Sequence, residues 1–411
     1  MKWLWIRDLC LIVLVISYPS FMVDAQVKTG IDVLEERGFG LLKGKRVGLV
    51  TNPTGVDRQL RSTIDILHEN VDLRALYGPE HGVRGDFSAG DRVGDHVDRE
   101  TGLPVYSLYG KNRKPSPESL ENVDVIVYDI QDIGVRSYTF ISTMGLVMEA
   151  AAELGKEVVI LDRPNPLGGM RVEGPVVEDG YSSFVSQYAI PYVYGLTCGE
   201  LARLLNGEKM LSGGVSCRLT VVPMEGWERE MTFDGTGLQW VPTSPHIPQY
   251  ITAFYYPATG IIGELDPAMI GIGYTLPFQT LVTENIDAQR LSDSLNALGL
   301  HGVLFRPIYL KPYYMDQKGV PMQGVQIYLT DLVNAGLTEI QFLFLQEAHK
   351  IDPEFNPFRG KEDRYTMFDK VCGSDVLRKS MLESFDFEKL RSYWNGDREW
   401  FILLSKDYYL Y

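Results

Sequence analysis

The sequence predicts an α/β protein with a parallel sheet covered by helices, followed by a second and smaller α/β region. Three observations predict this fold class. From Gly38 onward, short β-branched runs alternate with stretches of helical spacing, which is typical of such a sheet. The chain has 411 residues, enough for two domains, and 45% of them are hydrophobic. A Pro-rich segment at 241–248 separates the two regions.

The individual elements follow from these patterns in chain order. In the first region, strands are predicted at 46–50, 73–77, 104–109, 123–129 and 157–161. Helices are predicted between them at 62–69 and 138–154. In the second region, helices are predicted at 288–298 and 337–349, and strands at 302–308 and 325–329. Aromatic and aliphatic residues near the end of the chain predict helices that pack back on the domain.

The first 25 residues have the pattern of an export signal. Lys2 and Arg7 precede an apolar stretch at 9–16, and the small-residue ending Val23-Asp24-Ala25 follows. This stretch is shorter than the ~20 residues that cross a bilayer, and no later segment is long and apolar enough. We therefore expect residues 1–25 to be a signal peptide, with domains at 26–250 and 251–411. The expected location is periplasmic or extracellular, without a membrane span.

Charge and cysteine content exclude further classes of protein. The chain has 39 Lys and Arg against 54 Asp and Glu, a net charge of −15, and it contains no basic run. Nucleic acid is therefore excluded as a partner, because phosphate binding needs a concentrated basic surface. Beyond the signal peptide, three cysteines remain: Cys198, Cys217 and Cys372. An odd number favours buried free thiols over a disulfide framework, with a single pair as the alternative.

Polar residues follow four of the predicted strands. In open α/β sheets, ligands bind beyond the carboxyl ends of the strands. The loops concerned are TNPTG at 51–55, GPEHGVRGD at 78–86, DIQDIGVRSY at 129–138 and DRPNP at 162–166. Carboxylates, amides and arginines are thus expected at one edge of one sheet, which predicts a binding site there.

The same loops exclude several kinds of site. The turn after the first strand has no G-x-G-x-x-G and contains Pro53, so a dinucleotide cofactor is not expected. The sequence has no P-loop and no G-x-S-x-G elbow. A metal is only weakly supported, because the carboxylates and histidines between Glu80 and His96 lack H-E-x-x-H spacing. We therefore predict neither a cofactor nor a metal.

Carboxylate chemistry is what these loops support. Glycoside hydrolysis needs one carboxylic acid to protonate the leaving oxygen, and a second group as base, as nucleophile or to hold a substrate group. Glu80 lies in a Gly-flanked loop that can approach a ligand closely, yet it is equally suited to capping a helix or pairing with Arg84. For Asp129 and Asp132, the alternative to a functional role is to cap a helix. For His246, the alternative is to order the chain where it crosses between the domains.

Several long motifs in the same order carry a family resemblance. They are LVTNPTG at 49–55, GPEHGVRGD at 78–86, YDIQDIGVRSYTF at 128–140, LDRPNPLGG at 161–169, VEGPVV at 172–177, SPHIP at 244–248 and GELDPAMIGIGYTLPFQ at 263–279. The chain closely resembles the exo-lytic β-N-acetylmuramidases, glycoside hydrolase family 171. The resemblance implies a Rossmann-like catalytic domain, a C-terminal auxiliary domain and an active cleft between them. It also implies release of N-acetylmuramic acid from non-reducing ends of peptidoglycan-derived disaccharides and muropeptides, in cell-wall turnover.

The resemblance also implies roles for individual residues. By this resemblance, Glu80 of the PEHG motif is expected to be the catalytic acid. Glu173 of the VEGP motif is expected to be the second catalytic or substrate-positioning carboxylate. Asp129 and Asp132 are alternatives for that second role. N-acetylmuramic acid is itself an anion, so its site needs a guanidinium. The expected substrate-binding residues are Asn52, His81, Arg84, Asp132, Arg136, Tyr138, Arg163, Asn165, His246 and Glu264. For each arginine, a salt bridge to a neighbouring Asp is an equal alternative.

One segment departs from the family pattern. Residues 268–273 read AMIGIG, where many members carry Thr-Asn before the glycines and Arg between them. This departure makes a hydrolase for a different amino sugar one alternative. A non-catalytic protein that binds peptidoglycan or muropeptides is another, and a metal-dependent hydrolase is a third.

Overall fold

The computed structural model describes residues 27–85 and 94–411. Within these residues the chain forms a seven-stranded sheet in its first half and a three-stranded sheet in its second. The predicted α/β fold class, with a smaller second region, is thereby confirmed. The expected signal peptide lies outside the described residues, as do Asp86 and Asp91, two of the carboxylates between Glu80 and His96 that were considered for a metal.

The large sheet has the strand order of a Rossmann fold. Its strands are β1 (Arg46–Thr51), β2 (Asp72–Gly78), β3 (His96–Val97), β4 (Pro104–Ser107), β5 (Val125–Asp129), β6 (Glu157–Leu161) and β7 (Arg218–Val222). They are ordered β3-β4-β2-β1-β5-β6-β7, and every neighbouring pair is parallel except β3 with β4. The order reverses between β1 and β5, and crevices for ligands open at such points.

Helices cover both faces of this sheet: α1 (Gly30–Glu36), α2 (Thr63–Asn70), α3 (Phe140–Glu153) and α4 (Cys198–Gly207). Successive side chains of a strand point to opposite faces. In β5, Val125 and Val127 pack into the core under α1 and α2, whereas Ile126 and Tyr128 pack into the core under α3 and α4. Because both faces are covered, the strand reads as one continuous apolar run.

The second half of the chain packs around a small antiparallel sheet. Its strands are β8 (Thr280–Thr283), β9 (Val303–Leu310) and β10 (Met322–Leu329), in the order β8-β10-β9. Its helices are α5 (Tyr250–Thr259), α6 (Ala288–Ala297), α7 (Ile340–Ile351), α8 (Tyr365–Cys372), α9 (Val376–Ser384), α10 (Arg391–Trp394) and α11 (Arg398–Ser405). As predicted, the last helices pack back: Trp394 lies in the core of this half, and Phe401 reaches the core of the first.

Cysteine pairing and membrane insertion can also be read from the described residues. Cys198 and Cys372 are buried, Cys217 is partly buried, and all three are free thiols. Among helices in the described part of the chain, none has the length and apolar character needed to cross a membrane.

Candidate active site

The residues best suited to catalysis or ligand binding lie in the crevice at the carboxyl ends of β1, β2 and β5. β2 ends at Gly78, and the chain then turns through Glu80, His81 and Gly82. His81 and Gly82 both have a positive φ, +74° and +75°. A left-handed conformation is uncommon for a residue with a side chain, and such residues cluster at functional sites. The turn presents Glu80 and His81 to the crevice.

A cleft of about 250 Å³ opens at this position. Three parts of the chain form most of it: the loop after β2, the start of α3, and the segment that leads into α5 together with α5 itself; Val185 and Phe278 complete it. Its lining residues are Glu80, His81, Ser137, Tyr138, Thr139, Phe140, Val185, Ser244, Pro245, His246, Ile247, Tyr256 and Phe278. The structure therefore brings together four of the predicted site residues, Glu80, His81, Tyr138 and His246. Residues from both halves of the chain contribute to this cleft.

Beside Glu80 lies Tyr109, a tyrosine outside the predicted site residues. Burial, and then its interaction with the Glu80 carboxylate, raise the pKa of Tyr109 to about 12. The Tyr109 hydroxyl is therefore neutral at every physiological pH and can act as a donor toward the Glu80 carboxyl group.

The N-terminus of α3 faces the same cleft, since residues 137–140 line it and the helix begins at Phe140. The first N–H groups of a helix have no intrahelical acceptor and carry a partial positive charge. No side chain caps this end among the described residues. Tyr138 is oriented here by a 2.7 Å hydrogen bond from its hydroxyl to Oγ1 of Thr243. The cleft therefore offers an aromatic face and a weakly positive floor.

Two imidazoles border the cleft, His81 in the loop after β2 and His246 in the segment that leads into α5. Nε2 of His246 lies 3.1 Å from the hydroxyl of Tyr314, and the two rings are nearly parallel. Burial, with a smaller contribution from His81, lowers the pKa of His246. The neutral form of His246 is therefore favoured near neutral pH, and it suits hydrogen bonding to a hydroxyl or an amide.

Two further carboxylates stand behind the cleft wall at Tyr256. Burial raises the pKa of the Tyr256 hydroxyl well above its ordinary value, and the charges of Glu264, Asp132 and Glu80 raise it further. Asp132 is buried, its pKa is raised to about 6 by that burial, and its Oδ1 atom has no hydrogen-bond partner among the described residues. Burial also raises the pKa of Glu264. The charges of three carboxylates thus act on one tyrosine.

The predicted arginines take no part in lining this cleft. Arg84 pairs with Asp98 at 2.6 Å, and its hydrogen bond holds the pKa of that carboxyl well below its usual range. Arg163 is buried and pairs with Asp129, its Nε lying 2.5 Å from Oδ1. The salt-bridge alternative holds for both residues, because each guanidinium is already engaged by a carboxylate.

Arg136 also lies elsewhere, at the joint between the two halves of the chain. It is 1% exposed, and all five N–H donors are used. The acceptors are Ser186 Oγ and the backbone carbonyls of Pro175, Ile190, Val371 and Cys372. The expectation that Arg136 binds substrate is corrected here, because no donor remains for a ligand.

Asp129, Asn52 and Asn165 are buried within the sheet edge. Asp129 accepts hydrogen bonds from Arg163 and from Thr63, the latter at 2.5 Å, and it is fully buried. Asn52 Oδ1 accepts from the backbone and hydroxyl of Thr54. Asn165 bridges the backbone of Leu167 and Leu196. These contacts shape the loops that carry the cleft, and none of the three side chains lines it.

Glu173 lies apart from Glu80 as well, at the domain joint. Its Oε1 is 2.5 Å from Nη1 of Arg171, and its Oε2 accepts from the backbone N–H groups of Leu337 and Thr338 and from the Thr338 hydroxyl. The position of Glu173 therefore does not support its predicted role as the second catalytic carboxylate beside Glu80. Its contacts place it in the frame that holds the start of α7.

The structure adds residues that the sequence did not single out. Tyr109, Tyr256 and Phe278 lie at or beside the cleft, and none of them was among the predicted site residues. In residues 27–85 and 94–411, no group of three His, Cys, Asp or Glu side chains is placed to hold a metal ion.

Fold and cleft together define an α/β protein in which a carboxylate, two imidazoles and a helix N-terminus line one small cleft. Residues 47–251 match the family described as "Exo-beta-N-acetylmuramidase NamZ, N-terminal", and residues 254–411 match its C-terminal counterpart. The chain therefore belongs to the exo-β-N-acetylmuramidase NamZ family, and the resemblance seen in the motifs is confirmed.

Individual relatives agree with this assignment. The chain is 43% identical over 388 residues to "Peptidoglycan beta-N-acetylmuramidase NamZ" of Bacillus subtilis (strain 168), covering 94% of this chain and 92% of the relative. A crystal structure of a DUF1343 family protein from Bacteroides fragilis NCTC 9343 matches with a TM-score of 0.90 and 56% identity, covering 94% of this chain and 99% of that one. A second DUF1343 protein from the same organism matches with a TM-score of 0.71 and 30% identity, with the same coverage.

Proposed function

We propose that this protein is an exo-acting glycoside hydrolase that releases N-acetylmuramic acid from the non-reducing ends of peptidoglycan fragments. The observation that carries the proposal is the position of Glu80. This carboxylate lies in the crevice at the point where the strand order reverses, in a chain of the NamZ family. The Bacillus subtilis relative is a peptidoglycan β-N-acetylmuramidase by name, which supports the same substrate.

The size of the cleft supports exo-action. Ligand pockets usually measure roughly 300–1,000 Å³, and this cleft, at about 250 Å³, is smaller. Such a space suits one terminal sugar and not the middle of a glycan strand. The remainder of the substrate then lies outside the cleft.

Glu80 is the general acid in this proposal. It protonates the glycosidic oxygen of the leaving group, and the Tyr109 hydroxyl holds the carboxyl group in position. Neutral His246 and Ser137 are placed to hold ring hydroxyls, and Tyr138 offers a face for the sugar ring.

The lactyl carboxylate of the sugar needs a positive partner, and Arg113 is well placed for it. The Arg113 guanidinium lies 4.2 Å from the centroid of the Phe184 ring, next to Val185 of the cleft lining. Its charge also acts on Tyr109, which lies beside Glu80. Arg113 forms no ion pair with any described residue, so its guanidinium is available to an anion. The N-terminus of α3 adds a second positive feature.

The second chemical role falls to a group near Tyr256. Asp129 and Glu173 are engaged elsewhere, which leaves Glu264, Asp132 and the acetamido oxygen of the substrate itself. A carboxylate that orients the acetamido group, instead of attacking the sugar, satisfies the same requirement.

The product spectrum from a defined muropeptide tests the proposed substrate, bond and exo-action together. We expect free N-acetylmuramic acid or its peptide-bearing form as the first product, with no internal fragments. Binding without any released sugar would instead identify a peptidoglycan-binding protein, and release of another sugar would identify a different amino-sugar hydrolase. Activity that disappears with a chelator would point to a metal-dependent hydrolase.

We also propose that residues 1–25 direct export and that the mature protein acts in the periplasm or outside the cell. The charged start, apolar stretch and small-residue ending support this location. N-terminal sequencing of the protein from fractionated cells tests it. A mature chain that begins at Met1 in the cytoplasmic fraction would contradict it.

A further inference from the structure

A second concave surface lies on the C-terminal half of the molecule, and we call it the tyrosine groove. It measures about 520 Å³ and lies along β9, β10 and the turn between them. Its lining residues are Tyr274, Glu284, Tyr309, Leu310, Lys311, Tyr313, Pro321, Met322 and Gln323. Three tyrosines therefore share one groove outside the candidate active site.

Two of the three tyrosines of the groove are largely exposed. Tyr309 is 68% exposed and Tyr313 is 57% exposed. Large apolar side chains that cluster at a rimmed surface mark ligand or partner sites. A tyrosine combines an apolar ring face with a polar tip, and a β-linked pyranose offers the complementary surface, with C–H groups on its faces and hydroxyls at its edge.

The backbone holds the groove in a fixed shape. Tyr309 lies on β9 directly opposite Gln323 of β10. The rings of Tyr274 and Tyr313 lie 5.3 Å apart, and the N–H of Tyr313 donates to the carbonyl of Gly273 at 2.7 Å. Gly273 has a φ of +94°, and a Cβ at that position would come within 2.7 Å of the Tyr314 carbonyl oxygen. The groove is therefore preorganised by the segment 268–273 that departs from the family pattern.

Tyr314 connects the tyrosine groove with the active cleft. Tyr314 directly follows Tyr313 of the groove, and its hydroxyl lies 3.1 Å from Nε2 of His246 in the cleft lining. A substrate chain that leaves the cleft past His246 would pass Tyr314 and then reach the tyrosines of the groove. Its polar substituents would meet Glu284, Lys311 and Gln323. Neither Glu284 nor Lys311 forms an ion pair with the residues that the structure describes.

We propose that the tyrosine groove binds the glycan chain on the leaving-group side of the scissile bond, as β-linked amino sugars stacked on Tyr309 and Tyr313. This proposal rests on the proposed function, because it is the terminal sugar in the cleft that directs the rest of the chain past His246. It gives the enzyme a preference for longer glycan fragments over monosaccharide glycosides.

The test compares two substrates and three variants of the full chain. The substrates are a chromogenic β-N-acetylmuraminide and a peptidoglycan tetrasaccharide with N-acetylmuramic acid at its non-reducing end. Tyr309→Ala and Tyr313→Ala remove groove tyrosines, and Tyr328→Ala removes a 41% exposed tyrosine of β10 outside the groove as a matched control. We expect each groove variant to raise KM for the tetrasaccharide about five-fold or more. Turnover of the chromogenic substrate should not change, and Tyr328→Ala should behave as wild type.

Wild-type KM for the tetrasaccharide in both groove variants would overturn the proposal. A binding measurement separates it from the proposed function, using an oligosaccharide that begins with N-acetylglucosamine and is therefore not a substrate for an exo-muramidase. If the protein hydrolyses neither substrate but Tyr309→Ala lowers its affinity for this probe, the proposed function is wrong and glycan binding by the tyrosine groove is supported. Binding that is absent, or equal in wild type and Tyr309→Ala, would overturn the groove.

Discussion

The carboxylate of Glu173 accepts a 2.9 Å hydrogen bond from the backbone N–H of Thr338 and so joins the two halves of the chain. The same carboxylate pairs with Arg171, which in turn donates to the backbone carbonyls of Leu332, Val333 and Ala335. One motif of the first half thus fixes the loop that precedes α7. Because the active cleft is lined by both halves, this joint sets the shape of the cleft from a distance.

We therefore predict that Glu173→Gln acts mainly on stability. The substitution leaves the buried Arg171 guanidinium without its charge partner, which should lower the free energy of unfolding by about 2–4 kcal/mol. At a temperature where the variant is folded, kcat should fall less than about tenfold. Urea unfolding and turnover of a chromogenic muraminide measure the two effects. If Glu173→Gln unfolds at the wild-type urea midpoint but is inactive, Glu173 has a direct catalytic role and the prediction is wrong.

The second prediction concerns Glu80. Glu80→Gln keeps the size of the side chain but removes the acidic proton, so kcat on a substrate with a poor leaving group should fall at least about 10²-fold. The side chain is partly exposed at the cleft, so the variant should unfold at nearly the wild-type temperature. Tyr109→Phe is the matched control for positioning and should reduce kcat less. Unchanged turnover in Glu80→Gln would remove the residue from the mechanism.

The third prediction concerns recognition of the lactyl carboxylate by Arg113. Arg113 is exposed, so Arg113→Ala should leave the fold intact. Loss of a charge-assisted contact should raise KM for a chromogenic N-acetylmuraminide about tenfold, because such hydrogen bonds contribute about 1.5–3 kcal/mol. Lys111→Ala removes an exposed cation of the same loop and serves as the control. An equal KM in wild type and Arg113→Ala would assign the carboxylate to the α3 N-terminus alone.

The sequence was sufficient for the parts of the fold that depend on local pattern. The run at 157–161 gives β6 with the predicted bounds, and the helical spacing at 138–154 gives α3 at Phe140–Glu153. β7 was missed because it is a half-exposed edge strand without a continuous apolar run, and the two-residue β3 is too short to leave a pattern. Glu80 and His246 were found because Gly and Pro around them mark loops.

Site residues that depend on distant contacts could not be predicted in the same way. Arg136 was expected beside the substrate, but its acceptors include carbonyls at Val371 and Cys372, more than 230 positions further along the chain. Arg163 was considered as a partner of its neighbour Asp162, whereas it pairs with Asp129 on the adjacent strand. A charged residue binds the closest partner in space, and only the fold determines which one that is.

The last prediction follows from Asp132, which is buried and has a pKa raised from 3.8 to about 6. Because the folded state binds the proton more tightly than the unfolded chain, the protonated carboxyl favours folding below pH 4. As the pH rises from about 4 to about 6 the unfolded chain ionises first, so the free energy of unfolding falls, by about 3 kcal/mol at most. Asp162 has a pKa of about 6 for the same reason and adds a contribution of the same sign.

Asp132→Asn separates the two contributions. The amide can still accept hydrogen bonds from Tyr194 and from the backbone N–H of Gly134, but it does not ionise. We expect its stability to fall less steeply than that of wild type between pH 4 and 6, so that the variant is relatively more stable at pH 7. Denaturant unfolding at half-unit pH steps measures the difference between the two curves. Parallel curves would show that Asp132 carries the same charge in both states, and the unpartnered Oδ1 atom would then have to find its partner in bound water or substrate.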